Sequence, residues 1–233
     1  MLFLLGREAG ARREEPGAVG RMGLGLFALG FVQKVLLFWI ETALGRGPAF
    51  YPFSTSGVPW LFLVGGMCCL LVSFLPRRRW MERWLVPLAV LAGLAVGFVK
   101  FIGDFMCLSR LVVYLPFFLL GFGIKDKTLE AVGSKLWHKL AGLAALLGWA
   151  AVCLVSRGAL SSLRLVADNN KWYKSIEALP RMLYGLPARA GFYALSLILL
   201  LALLAILPGR SLPLADQVGR RWKSGYFWFT PAA

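Results

Sequence analysis

Catalytic side chains are scarce in this sequence. Its 233 residues include a single histidine, 11 acidic residues and 4 cysteines. It contains no GxSxG nucleophile elbow, no HExxH zinc motif, no Walker-type phosphate loop and no pair of CxxC motifs. Each of those motifs holds a nucleophile, a metal ion or a nucleotide phosphate in a defined local structure. The sequence therefore does not indicate serine hydrolysis, metal chemistry or nucleotide cleavage, and we expect no metal ion and no bound cofactor.

The rare histidine and cysteine residues have structural interpretations. His138 stands in the segment KLWHKLAG, between Lys135 and Lys139 and with no carboxylate in that segment. A catalytic imidazole is normally oriented by such a group, so we interpret His138 as a residue of the membrane interface. Three of the four cysteines fall inside apolar runs, and we interpret them as small packing residues. The sequence thus identifies no catalytic residue.

Long hydrophobic runs dominate the chain. Hydrophobic residues make up 59% of it, and the mean hydropathy is +0.70, which is too apolar for an ordinary soluble domain. A run of about 20 apolar residues crosses the roughly 30 Å hydrocarbon core of a bilayer as a helix. The runs lack the alternating polarity of membrane barrel strands, so we predict an all-α membrane helix bundle with about six transmembrane helices. The six runs are residues 22–44, 58–76, 85–103, 108–124, 136–155 and 190–208.

Positive charge is concentrated in particular loops. The net charge is +15, but the cations are not spread over a face with interleaved aromatic residues, so we expect no nucleic-acid partner. Most of them precede the first run, follow the last one, or lie in two loops that would share one side of the membrane. By the positive-inside rule that side is the cytoplasm, although the outside loop 156–189 holds six further cations. We predict a cytoplasmic tail over residues 1–21, one membrane domain over 22–233, and a location in the bacterial cytoplasmic membrane with the N-terminus inside.

Polar residues inside the first run have two interpretations. Lys34 follows Gln33 in the middle of that run, and Glu41 lies seven residues further on, about two helical turns away on a similar face. These side chains could form a polar stripe toward the bundle interior, because a charge in hydrocarbon costs about 2.5–3.5 kcal/mol and is tolerated mainly for function. Alternatively, Glu41 lies at the outer interface, and Lys34 pairs with a carbonyl group or extends to the headgroups.

The segment LSRLVVYLPFFLLGFGIKD, residues 108–126, combines an arginine at its start with a proline in its middle. Taken alone, Arg110 would reach the outer headgroups and Pro116 would kink the helix by removing a hydrogen bond. The segment also resembles the acyltransferase 3 superfamily, the integral-membrane O-acyltransferases that include fucose 4-O-acetylase-like proteins. Members often carry a segment close to LSR…PFFLLGY, followed by basic residues.

Three further segments carry the resemblance. TSGVPWLFLVGGMCCLL, residues 55–71, is similar to the start of a family helix, with Trp60 at the tryptophan. GDFMCLSR, residues 103–110, is similar to the approach to the Ser-Arg pair and includes Asp104. The segment 182–229 resembles the last two helices, with a Gly-Arg-Arg element and a later tyrosine at the start of the final one. Together these segments cover about 55 to 229 in the family's order.

The resemblance implies a function for these residues. A member of the family takes an acetyl group from acetyl-CoA at the cytoplasmic face and delivers it to a hydroxyl group of a cell-surface carbohydrate. Arg110 and Asp104 would order the outer mouth of the bundle, and the inner basic loops would hold the anionic donor. Trp60, Lys34 and Glu41 complete our set of substrate-binding candidates.

The chain also departs from the family pattern. It has neither the early acidic D-x-x-R/K-G element nor the histidine in a GH context that is the family's presumed base, and His138 lies in the wrong helix. A common histidine near the C-terminal end is replaced by Phe229. We therefore expect a truncated and inactive member. The alternative from another class is a small six-span permease or a non-enzymatic accessory membrane protein in which Gln33, Lys34 and Glu41 line a polar path.

Overall fold

A computed structural model describes residues 1–15, 17–45, 60–75, 79–99, 107–155 and 185–206. The regular secondary structure of these residues is helical, with no strand among them, which confirms the all-α class. A short 3-10 turn, Val96–Phe98, follows the fourth helix. The α-helices within the described ranges are α1 Leu2–Ala11, α2 Ala18–Ala43, α3 Trp60–Phe74, α4 Arg79–Ala95, α5 Leu108–Gly123, α6 Asp126–Ser134, α7 Leu136–Val155 and α8 Gly185–Ile206.

Each of the six predicted apolar runs coincides with a helix, but the helices differ in length. Three of them, α2, α7 and α8, are long and apolar enough to cross a bilayer. The apolar helical stretches Trp60–Phe74, Trp84–Phe98 and Leu108–Gly123 are shorter. The described structure therefore supports a membrane protein with three candidate spans, and the full six-span arrangement stays a prediction.

The chain divides into two compact units. One contains helices α1 to α5. The other contains helices α6 to α8. This division concerns packing alone, and the functional domain predicted for 22–233 stays a prediction.

The region expected to be a cytoplasmic tail contains a helix that the sequence analysis did not anticipate. In α1, the side chains of Leu2, Phe3 and Leu5 are buried, and Ala9 is completely enclosed. Arg7 and Arg12 point away from this face and are exposed. Residues 7–21 are thus not solvated throughout, because α1 presents one apolar face to the first unit. The side of the membrane on which this region lies stays a prediction.

Glycine residues bring the backbones of α1 and α5 into direct contact. A Cβ atom added to Gly6 would collide with the backbone carbonyl oxygen of Phe118, and one added to Gly121 would collide with that of Phe3. At Gly10, one turn after Gly6, the added atom would lie 2.6 Å from the carbonyl oxygen of Phe122. Such close approach is typical of helix pairs with small residues four positions apart. The absence of side chains at these positions therefore allows α1 to pack where it does.

Close backbone contact at glycine residues also joins two other helix pairs. Gly23 of α2 and Gly66 of α3 face each other, since a Cβ on Gly66 would lie 2.8 Å from the Gly23 carbonyl oxygen. In the second unit, a Cβ on Gly142 of α7 would lie 2.8 Å from the Ala202 carbonyl oxygen of α8. Gly142 is the buried residue of α7, and leucine side chains on the rest of that helix are exposed. A surface of this kind is suited to contact with lipid chains.

We expect Gly6→Ala to lower the free energy of unfolding by about 1–3 kcal/mol, because the added methyl group meets backbone that cannot rotate away. Gly25→Ala in α2 is the matched control, since nothing lies within 4 Å of the added atom. There the better helix propensity of alanine should raise the free energy of unfolding by about 0.5–1 kcal/mol. Unfolding of the two variants in detergent, followed by circular dichroism, compares them. Equal effects would show that the α1–α5 contact is looser than described.

Candidate functional site

Three of the predicted site residues lie at one end of the first unit. Trp60 is the first residue of α3, and Arg110 lies in the first turn of α5. In α2, Gly30 packs against Leu63 of α3, and Lys34 lies one turn further along α2. The antiparallel packing of α2 and α3 therefore brings Lys34 to the level at which α3 begins.

An aromatic pair supports the arginine at this end. The guanidinium carbon of Arg110 lies 5.5 Å from the centroid of the Trp60 ring, which is within cation–π range. The Trp60 ring is in turn stacked on Tyr114, with 5.1 Å between the ring centroids and 21° between the ring planes. Tyr114 lies one turn after Arg110 on α5, so the two side chains share a face of the helix. The contacts place the guanidinium group over the Trp60 ring.

Lys34 and Gln33 are buried in the middle of α2. The relative exposure is 8% for Lys34 and 1% for Gln33. Cys107, which immediately precedes α5, is also buried, with 1% of the residue exposed. The burial of Lys34 favours the polar stripe over a lysine that extends to the headgroups. It also satisfies the usual condition for a charged residue in a membrane helix, which is to face the protein interior.

The backbone at the start of α5 adopts an unusual conformation. Cys107 has φ 58, in the left-handed region that non-glycine residues rarely occupy. Such a conformation costs about 1–3 kcal/mol and persists where the surrounding packing determines it. Here it immediately precedes the helix that carries Arg110 and Tyr114.

The remaining predicted residues are placed differently. Glu41 is partly exposed near the end of α2, about 10 Å along the helix axis from Lys34. Asp104 lies outside the described residues. His138 is exposed at the start of α7, and its Nδ1 donates a hydrogen bond of 3.0 Å to the Val132 carbonyl oxygen of α6. The described contact of His138 is thus local and holds the connection between two helices.

Two residues of interest were missed in the sequence. Tyr114 could have been found from its position four residues after Arg110, on the same helix face. Arg189 was placed in the outside loop 156–189, but it belongs to α8, which begins at Gly185, and only 1% of the residue is exposed. Tyr193, one turn further on, is also buried. A buried arginine in a long apolar helix is a candidate functional residue of the second unit.

The described residues at this end of the first unit supply hydrogen-bond donors, a positive charge and an aromatic surface. Arginine and lysine donate to hydroxyl or developing oxyanion groups, and glutamine both donates and accepts. None of these side chains is a carboxylate or an imidazole, the groups that most often act as a general base. We call this group the Trp60 cluster, and it consists of Gln33, Lys34, Trp60, Cys107, Arg110 and Tyr114.

We expect Lys34→Met to raise the free energy of unfolding by about 1–3 kcal/mol, because an apolar side chain of similar length removes the cost of a buried charge. Lys139→Met, at an exposed position of α7, should change it by less than about 0.5 kcal/mol. Thermal unfolding in detergent measures both variants. A loss of stability in Lys34→Met would mean that contacts of the lysine hold α2 against its neighbours.

Comparison with known proteins gives no relative from which this site could be interpreted. No family model, no curated protein and no solved structure matches the chain. The resemblance to the acyltransferase 3 superfamily is therefore based on the quoted sequence segments alone. The residues of the Trp60 cluster and their chemistry are the basis from which a function can be inferred.

Proposed function

We propose that this chain is an acyltransferase 3-like membrane protein that binds a cell-surface carbohydrate at the Trp60 cluster. In the complete reaction an acetyl group passes from acetyl-CoA to a hydroxyl group of that carbohydrate. In this reaction the chain provides the binding site for the acceptor carbohydrate. We place it in a bacterial cytoplasmic membrane with the cluster toward the outer face.

The observation that carries the proposal is the stack of Arg110, Trp60 and Tyr114. Two of its members were chosen from the sequence, and they lie 5.5 Å apart at the ends of different helices. A guanidinium group that is held against an aromatic ring keeps its donors in a fixed fork, which suits an array of neighbouring hydroxyl groups. The Trp60 side chain is partly exposed and offers apolar surface against which a sugar can pack. Gln33 and Lys34 extend the polar surface into the helix bundle.

Acyl transfer requires more than this cluster. The acceptor hydroxyl must lose its proton as it attacks the acyl carbon, and a positioned base normally accepts that proton. The cluster offers cations and donors that suit the oxyanion of the tetrahedral intermediate, but it contains no carboxylate or imidazole. We therefore propose that the chain binds the acceptor without catalysing the transfer by itself. Acetyl-CoA would meet the basic loops at the cytoplasmic side.

The proposal predicts that Arg110→Met lowers the affinity for the carbohydrate about ten-fold or more, because charge-assisted hydrogen bonds are worth about 1.5–3 kcal/mol. Arg21→Met is the matched control, since Arg21 is exposed on α2 in the same unit. Binding of fluorescent protein in detergent to an array of bacterial surface polysaccharides measures both variants. The proposal fails if the wild type binds no glycan, or if the two variants behave alike.

A transfer assay separates binding from catalysis. The purified chain, with acetyl-CoA and a glycan that it binds on the array, should release CoA no faster than the uncatalysed reaction. Transfer at an enzyme-like rate would show that another group accepts the proton. In that case the carbohydrate site would stand and the expected loss of activity would be wrong.

The burial of Gln33 and Lys34 within a candidate span also favours a second function, a small permease. Transport proteins place ionisable side chains in the bundle interior along the path of their substrate. On this hypothesis Lys34→Met abolishes a solute flux into proteoliposomes, whereas Lys139→Met leaves it unchanged. A panel of sugars and organic anions provides the probes. An unchanged flux in Lys34→Met would remove the main support for a transport path.

A further inference from the structure

A cavity of about 140 Å³ lies in the first unit, at the end away from the Trp60 cluster. It is formed where α2 begins and where α3 and α5 end, with α4 on one side. Along α5, Phe122 at the cavity is separated from Arg110 by twelve residues, or about 18 Å. Drug-sized ligands occupy pockets of about 300–1,000 Å³. The cavity is thus suited to one small group, or to one end of a longer molecule.

The lining of this cavity is divided between opposite charges and an apolar wall. Arg13 and Glu15 contribute a guanidinium group and a carboxylate group, and Ser73 contributes a hydroxyl. Apolar side chains of α3, α4 and α5 form the rest of the wall, among them Val72 and Leu85. A ligand that fits this lining carries an anion, a cation and a hydrocarbon portion.

The position of Arg13 is fixed by the cavity wall. Its guanidinium carbon lies 5.3 Å from the centroid of the Phe122 ring, and the Phe122 ring is stacked on Phe118 at 6.4 Å between centroids. A planar guanidinium that is supported in this way binds phosphate with two parallel hydrogen bonds. Glu15 lies two residues further along the chain and is exposed, so its carboxylate is accessible to a second charged group.

The cavity lies at the level where a membrane surface is expected. It adjoins the first turn of α2, a helix that is long and apolar enough to cross a bilayer. Arg12, Arg13 and Arg21 flank that turn, and cations next to a span mark the boundary between hydrocarbon and water. Basic pockets between membrane helices at this depth are typical binding sites for lipid headgroups.

We propose that this cavity binds the headgroup of phosphatidylethanolamine. Arg13 binds the phosphate group, Glu15 binds the primary ammonium group, and the apolar wall contacts the start of an acyl chain. The paired opposite charges distinguish this lipid from phosphatidylglycerol, which has no cation for Glu15. The lipid site does not depend on the proposed carbohydrate chemistry, since it lies at the other end of the same helices.

The test uses the full chain, freed of lipid in detergent and titrated with short-chain lipids, with binding measured by native mass spectrometry. The dihexanoyl form of phosphatidylethanolamine should bind about ten-fold more tightly than the phosphatidylglycerol and phosphatidylcholine forms. Arg13→Gln should lower its affinity about ten-fold, and Glu15→Gln should remove the preference over phosphatidylglycerol. Free phosphoethanolamine should compete much more weakly than the lipid, because it leaves the apolar wall uncovered.

Arg12→Gln is the matched control. Arg12 is exposed and pairs with Glu8 at 3.2 Å on the surface of α1, so its loss should change lipid affinity less than about two-fold. Equal affinity for the three lipids would overturn the proposal, as would equal effects of Arg12→Gln and Arg13→Gln. Free phosphoethanolamine that competes as well as the lipid would also overturn it. If Arg13→Gln loses its helical circular dichroism, Glu15→Gln, at an exposed position, decides the matter.

Discussion

The fold depends on contact between helix backbones at glycine residues. In a bilayer, burial of apolar side chains between helices gains little, because lipid chains are as apolar as leucine. Association then depends on van der Waals contact over closely fitted surfaces and on a few polar interactions. Glycine residues allow this close contact in three helix pairs. They are Gly6 and Gly121 between α1 and α5, Gly23 and Gly66 between α2 and α3, and Gly142 between α7 and α8. These contacts set the alignment of α2 with α3 and of α1 with α5.

The two polar regions of the first unit are consequences of that alignment. Where α3 and α5 begin, Trp60, Arg110 and Tyr114 meet beside the buried part of α2. Where α3 and α5 end, Arg13 lies against Phe122 and lines a cavity. Both regions use an arginine that is held over an aromatic ring. In each region the aromatic ring supports the cation while the arginine stays partly exposed, so the charge is not completely buried.

The sequence predicted the helical class because composition decides it. Apolar runs of this length can bury their backbone polar groups in lipid only as helices, so the six runs coincided with helices. The helix α1 was missed because its packing depends on the small size of Gly6 and Gly10, and a hydropathy pattern gives no information about such close contact. Arg189 was assigned to a loop because the apolar run begins at residue 190, whereas the helix begins five residues earlier, at Gly185. Trp60 and Arg110 were identified from a resemblance to a family, but their contact depends on the register of α3 and α5, which a single sequence does not fix.

The lengths of two described helices have a consequence for the surrounding membrane. Helix α7 has 20 residues, about 30 Å, which equals the thickness of an average hydrocarbon core. Helix α5 has only 16 residues, about 24 Å, and it ends at both sides within the described chain. Helix α5 is therefore several ångströms shorter than the hydrocarbon core that α7 matches. On the six-span prediction, in which α5 crosses the membrane, a hydrophobic mismatch of this size would be relieved by local thinning of the lipid around α5.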